Sequence, residues 1–153
     1  MKSPGRIVRL ILSVIVGGLM TASQPQAAES CHQINAKGVG QDLGGGMTAA
    51  QIIGGGLLHG TTEGNFAVTG GSFPVFSIAG TVKFTTRQGT LTVSVTGTFN
   101  VATGEFSASG TVTDATGKLA GATGELSLDG VENSSDGSFV EDVTGAICVD
   151  LAP

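Results

Sequence analysis

The sequence is poor in the residues on which most enzymes and metalloproteins depend. Its 153 residues contain no Trp, no Tyr, two His and two Cys, and only 12% of them are charged. Neither His32 nor His59 stands at metal-ligand spacing from a Cys, Asp or second His, so no zinc site is predicted. A Gly-x-Ser-x-Gly elbow and a phosphate-binding loop are both missing. The sequence therefore predicts no catalytic residue, no cofactor and no metal.

Basic residues are also few, and three of the seven Lys and Arg residues lie among the first nine positions. They precede or enter an apolar run over 7–20, and Ala27-Ala28 follow after a polar stretch. This arrangement is typical of a secretory signal peptide, and the run is shorter than the roughly 20 apolar residues that span a bilayer. We predict a signal peptide at 1–28, a single domain at 29–153, and a secreted or periplasmic protein. The alternative is an uncleaved membrane anchor.

Cleavage would change the charge of the protein. The mature chain would keep four basic residues against 12 acidic ones, a net charge of −8. Phosphate binding needs clustered Lys and Arg, so no nucleic-acid partner is expected. The mature chain has no further segment that predicts a membrane span, and its pattern indicates no particular oligomeric state.

What the sequence does contain is glycine, 26 residues of it, between stretches in which apolar and polar residues alternate. The clearest example begins at Gly89, where Leu91, Val93, Val95 and Phe99 alternate with Thr and Ser. Alternation with a period of two places the apolar set on one face of a strand. Short polar segments that end in Gly separate this strand from two similar ones, which predicts an antiparallel meander over 89–130.

The same pattern extends over the rest of the mature chain. It predicts eight strands, near 34–39, 49–58, 62–69, 75–85, 90–99, 105–113, 119–129 and 138–149. We interpret the three glycines at 54–56 as a bulge inside the second strand, and residues 41–47 as a loop. Eight such strands can bury their apolar faces in a barrel or in a two-sheet sandwich. Short sequential connections favour an all-β, eight-stranded antiparallel up-and-down β-barrel with the apolar set inside.

An outer-membrane barrel would carry the apolar set on the outside. Such barrels need aromatic girdles at both membrane interfaces. A sequence without Trp or Tyr does not supply these girdles, so this alternative is disfavoured.

Cys31 and Cys148 lie near the two ends of the predicted mature chain. Exported proteins retain disulfides, and a bridge here would bring the first and last strands together, as barrel closure requires. We predict a Cys31–Cys148 disulfide. Lipoprotein acylation of Cys31 is the alternative, but the preceding Ala28-Glu29-Ser30 fits an acylation signal poorly.

A turn pattern of the type T-x-A-T-G-x-L-A-G-A-T-G-x-L runs from Thr113 to Leu126, within ATGEFSASGTVTDATGKLAGATGELSLDG. This pattern resembles the allene oxide cyclase barrel-like family, which is related to plant dirigent proteins, and the similarity covers about 60–149. The resemblance implies an eight-stranded barrel with a partly open interior. It assigns no site residue, because the polar and aromatic pocket residues of those plant proteins cannot be placed on this sequence.

Glu141 is the residue on which an enzymatic role could rest. It shares the parity of Phe139 and Val143, so a regular last strand would point it into the barrel, with Phe139 and Glu141 as candidate ligand-binding residues. A carboxylate there would have a raised pKa and could act as a general acid or base. The alternative, which we favour from the sequence, is that Glu141 and Asp142 mark a bulge or the solvated end of the strand, where Glu141 would titrate normally.

A second acidic segment, 129–137, offers several oxygen ligands within a short span. Weak calcium binding is the alternative interpretation, since Ca²⁺ takes six to eight oxygen ligands. The spacing matches neither an EF-hand nor a glycine-rich calcium repeat, so a solvated hairpin loop is the expected structure.

Two functions fit these observations. The first is a secreted small β-barrel that binds a small apolar ligand or acts as an extracellular interaction module. The second, implied by the family resemblance, is an isomerase or cyclase that acts on an apolar substrate in the barrel cavity. A cavity with convergent polar groups would favour the second.

Overall fold

The structure, a computed structural model, describes residues 29–151. The predicted signal peptide lies outside the described residues. The strands, in chain order, are β1 Ser30–Gly44, β2 Met47–Gly54, β3 Gly60–Ser72, β4 Val75–Thr86, β5 Gly89–Asn100, β6 Glu105–Ala115, β7 Thr123–Glu132 and β8 Ser138–Val149. Each strand pairs antiparallel with the next, and β8 pairs with β1 to close the sheet. The predicted eight-stranded up-and-down barrel is confirmed.

The alternation in the sequence decides which side chains form the core. Leu91, Val93 and Val95 on β5 are at most 1% exposed, whereas Ser94 and Thr96 face solvent. The same alternation on β4, β7 and β8 places Val82, Leu126 and Val143 inside. Each fully buried side chain of this kind contributes about 1.5–3 kcal/mol to the free energy of folding. The predicted inward direction of the apolar set is confirmed.

Two 3₁₀ turns close one end of the barrel. They run over Gly56–Leu58 and Gly117–Leu119 and bury Leu57, Leu58 and Leu119 beneath the strands. The predicted strand over 49–58 is therefore wrong in its last part, and the strand predicted from 119 begins only at Thr123.

The physical cause of the first error lies in three consecutive glycines. Gly54, Gly55 and Gly56 have φ values of 79°, 69° and 55°. This left-handed conformation is accessible to glycine at little steric cost and ends the strand. The chain then turns inward beneath the barrel instead of bulging within the strand.

The other end of the barrel carries the β1–β2, β3–β4, β5–β6 and β7–β8 hairpins. The first hairpin is tighter than expected, because β1 continues to Gly44 and only residues 45–46 separate it from β2. The predicted loop over 41–47 is therefore wrong, and Asp42 lies within a strand. This extension places the Asp42 side chain at the mouth of the barrel.

Cys31 and Cys148 form the predicted disulfide. They lie directly opposite each other in the β1–β8 register. Since its sulfur is bridged, Cys31 is not an acylated cysteine, and the lipoprotein alternative is wrong. No helix within residues 29–151 is long and apolar enough to cross a membrane.

Candidate functional site

A cavity of about 210 Å³ occupies the barrel interior at the end that carries the four hairpins. Its wall is mainly apolar and includes Phe66, Phe99, Phe106 and Phe139. The rings of Phe106 and Phe139 meet edge to face, with centroids 5.9 Å apart. An apolar cavity of roughly 150 Å³ is enough to hold benzene, so this one has room for a ring with a short chain.

The cavity contains Glu141, which the parity of β8 directs inward. Glu141 is 7% exposed, and its carboxyl group makes no hydrogen bond or ion pair with any residue of the range 29–151. Burial raises the pKa of Glu141 to about 7, because desolvation disfavours the charged form. The favoured interpretation from the sequence, a solvated end of the strand with normal titration, is therefore wrong. β8 is regular here, with no register shift against β1 or β7.

Glycines on both neighbouring strands make room for this carboxyl group. Gly38 on β1 and Gly130 on β7 are the register partners of Glu141. A Cβ atom at position 38 would lie 2.6 Å from both Cγ and Oε1 of Glu141. One at position 130 would lie 2.5 Å from Cζ of Phe106 and 2.9 Å from Cβ of Glu141. Sequence reasoning missed these glycines, although Gly38 shares the inward parity of Ile34 on its strand.

Two further carboxylates lie at the mouth of the cavity, Asp42 from β1 and Glu132 from β7. Burial, together with the negative charge of Asp42, raises the pKa of Glu132. Asp42 accepts a hydrogen bond of 2.8 Å from the backbone N–H of Gly44. Sequence analysis assigned both residues to loops and missed them. The available signal was parity, since Glu132 continues the inward series of Leu126 and Leu128.

Thr62 contributes a fourth polar group. This β3 residue lines the cavity and is 5% exposed, and no residue within 29–151 makes a hydrogen bond to its hydroxyl. The cavity thus combines an apolar wall with a few polar groups that converge on its interior, which is the usual composition of a small-molecule site.

The remaining candidates from the sequence lie elsewhere. Asn133 accepts hydrogen bonds from Ser135, and Asp136 accepts hydrogen bonds from Ser138, so these side chains stabilise the β7–β8 hairpin loop as expected. His59 is exposed at the closed end. Within the described chain, no three His, Cys, Asp or Glu side chains are grouped to hold a metal ion. Phe139 and Glu141 do line one cavity, and their role in ligand binding remains a prediction.

Glu141→Gln should stabilise the barrel near neutral pH and leave its stability unchanged in acid. A carboxyl group whose folded pKa exceeds its unfolded pKa destabilises the fold as pH rises above the unfolded value. The rise from 4.5 to about 7 corresponds to roughly 3 kcal/mol. The free energy of unfolding of the variant should therefore exceed that of the wild type by an amount that grows between pH 4.5 and 7 and then levels off. Urea unfolding of both proteins across this range measures it.

Glu125→Gln on the outer face of β7 is the matched control, since the Glu125 side chain is exposed to solvent. The difference in the free energy of unfolding between this control and the wild type should change little over the same pH range. A Glu141→Gln difference that is equally independent of pH would show that Glu141 is solvated.

No protein-family model, curated protein or solved structure matches this chain. The resemblance to the allene oxide cyclase barrel-like family therefore stays a prediction.

Proposed function

We propose that this protein is an exported binding barrel that holds a small, largely apolar molecule in its interior. The observation that carries the proposal is the cavity of about 210 Å³. Well-packed cores contain few voids larger than a water molecule, and toward the closed end Leu58, Leu91 and Leu119 are at most 1% exposed. The interior at the hairpin end is less full, because the inward residue Ala108 is small.

The two ends of the barrel differ. Leu57, Leu58 and Leu119 are buried at the closed end, whereas the cavity reaches the hairpin end at Asp42 and Glu132. A ligand would therefore enter between the hairpins and place its apolar part against the phenylalanine rings. The disulfide supports an exported location, because such bonds persist in oxidising compartments.

Isomerase or cyclase activity is the second candidate, and Glu141 favours it. A general acid or base works best when its pKa lies near the operating pH, and the pKa of Glu141 is about 7. Ligand binding is the leading proposal because it requires only the cavity. An enzyme would also have to bind its substrate in this cavity before the reaction.

Titration with phenylbutanol, followed by amide NMR shifts, tests the proposal. We expect shifts confined to cavity residues, which include Phe99, Phe106 and Leu128. Ala108→Leu should weaken the affinity at least tenfold, because the longer side chain enters the volume that the ligand needs. Ser109→Leu, the next residue on the outer face of β6, should bind as the wild type does. Shifts scattered over the outer surface, or equal binding by both variants, would overturn the proposal.

A further inference from the structure

The charged groups of the cavity are all acidic and lie on one side of it. Asp42, Glu132 and Glu141 come from β1, β7 and β8, which are adjacent in the barrel. The facing wall, from β3 to β5, is apolar and presents Phe66, Val82 and Phe99 among others, and its polar exception is the uncharged Thr62. The cavity is thus amphipathic, with one acidic wall and one largely apolar wall.

No basic residue of the described chain neutralises this acidic wall. Lys37 pairs with Asp142 on the outer surface, and Lys83 points outward from β4. Arg87 and Lys118 belong to connections at the closed end. The other titratable groups that line the cavity from the strands beside β8, Asp42 on β1 and Glu132 on β7, are both acidic. A positive charge in the cavity must therefore come from the ligand.

Glu141 lies deeper than the other two carboxylates. Glu132 is opposite Phe139 in the register, and Glu141 follows two residues later on β8, about 7 Å farther in at roughly 3.4 Å per residue. The residue is only 7% exposed, and its carboxyl group has no partner among residues 29–151. Buried ionisable groups are normally paired. An unpaired carboxyl group that faces an open cavity therefore indicates a partner that arrives with the ligand.

We propose that the ligand is a small amine, with an aliphatic or aromatic body against the apolar wall and a protonated nitrogen bound to Glu141. This inference rests on the proposed binding function and specifies the charge that the cavity selects. Asp42 and Glu132 attract the cation to the mouth, and Glu141 forms the buried ion pair. Four phenylalanine side chains also line the cavity, and the face of an aromatic ring attracts a cation.

A bare divalent cation fits this cavity less well than an amine. It needs several oxygen ligands in one coordination shell, and within residues 29–151 no three candidate ligands are grouped for that purpose. A metal ion would also leave the apolar wall without a contact. An amphipathic amine uses both walls.

Three probes that share one body test the inference: phenylbutylamine, phenylbutanol and phenylbutyrate. At pH 8 the amine should bind at least tenfold more tightly than the alcohol, and the carboxylate should bind at least tenfold more weakly than the alcohol. The ratio of the amine affinity to the alcohol affinity should fall at least tenfold between pH 8 and pH 5, because Glu141 becomes neutral. Isothermal calorimetry at fixed ionic strength measures all three affinities.

Proton release gives a second readout that needs no variant. Because the bound cation requires an ionised Glu141, binding at pH 6 should release about 0.9 proton per amine from a group with a pKa of about 7. Calorimetry in two buffers with different ionisation enthalpies measures this number. The alcohol should release none.

Glu141→Gln should bring the affinity ratio of amine to alcohol close to one. Asp142→Asn, on the outer face of β8, should keep the wild-type ratio. Equal binding of amine and alcohol by the wild type would overturn the amine assignment and leave the binding function standing. Binding of none of the three probes would overturn both proposals. Displacement of the amine by Ca²⁺ at micromolar concentration would overturn the amine assignment and show that the cavity selects a metal ion.

Discussion

Val93→Lys should leave the barrel unfolded, whereas Ser94→Lys, one position along β5, should fold normally. Val93 is fully buried between its register partners Val82 and Val112. A lysine there would bury an unpaired ammonium group, which costs several kcal/mol even after local relaxation. It would also force a longer side chain into packed volume, at about 1–3 kcal/mol more. The sum reaches the lower part of the range of about 5–15 kcal/mol that stabilises a typical domain.

The Ser94 side chain points to solvent from the same strand. Its replacement should change the free energy of unfolding by less than about 0.5 kcal/mol, as is usual for surface positions. Circular dichroism during urea denaturation distinguishes the two outcomes. Similar urea midpoints for the two variants would show that the side chain of Val93 does not face the core.

The strands could be predicted because each carries its own evidence for which face is buried. On β5 the apolar and hydroxyl-bearing residues alternate, so both the strand and its inward face follow from local sequence. The closed end has no such pattern. Leu57, Leu58 and Leu119 are buried through 3₁₀ turns, and short apolar runs beside glycine do not distinguish a turn that folds beneath a barrel from a strand.

The candidate site was predictable only in part, for a related reason. The parity of β8 gave the correct direction for Glu141. Its burial, however, depends on Gly38 and Gly130, which come from strands on either side. The register that brings these glycines beside Glu141 is a property of three strands at once. A single strand shows the direction of a side chain, but not the space that its neighbours leave for it.

The double variant Cys31→Ser/Cys148→Ser should lose about 3–5 kcal/mol of stability and remain a folded barrel. The bridge closes a loop with a sequence separation of 117 residues. Chain entropy predicts about 5 kcal/mol for a loop of this length. Both cysteines point outward at the barrel surface, since they share the parity of the solvent-facing residues of β1 and β8. Serine should therefore fit without a packing defect.

The origin of this loss can be measured along with its size. Twelve register pairs join β1 to β8, so the native barrel should keep its closure without the bridge, and the effect should arise mainly in the unfolded chain. An unfolded chain without the cross-link exposes more surface, which raises the slope of the free energy of unfolding against urea concentration. We therefore expect the double variant to show a lower urea midpoint and a steeper slope. An unchanged slope, with loss of the native near-ultraviolet signal from the phenylalanines, would instead show that the bridge holds the barrel closed.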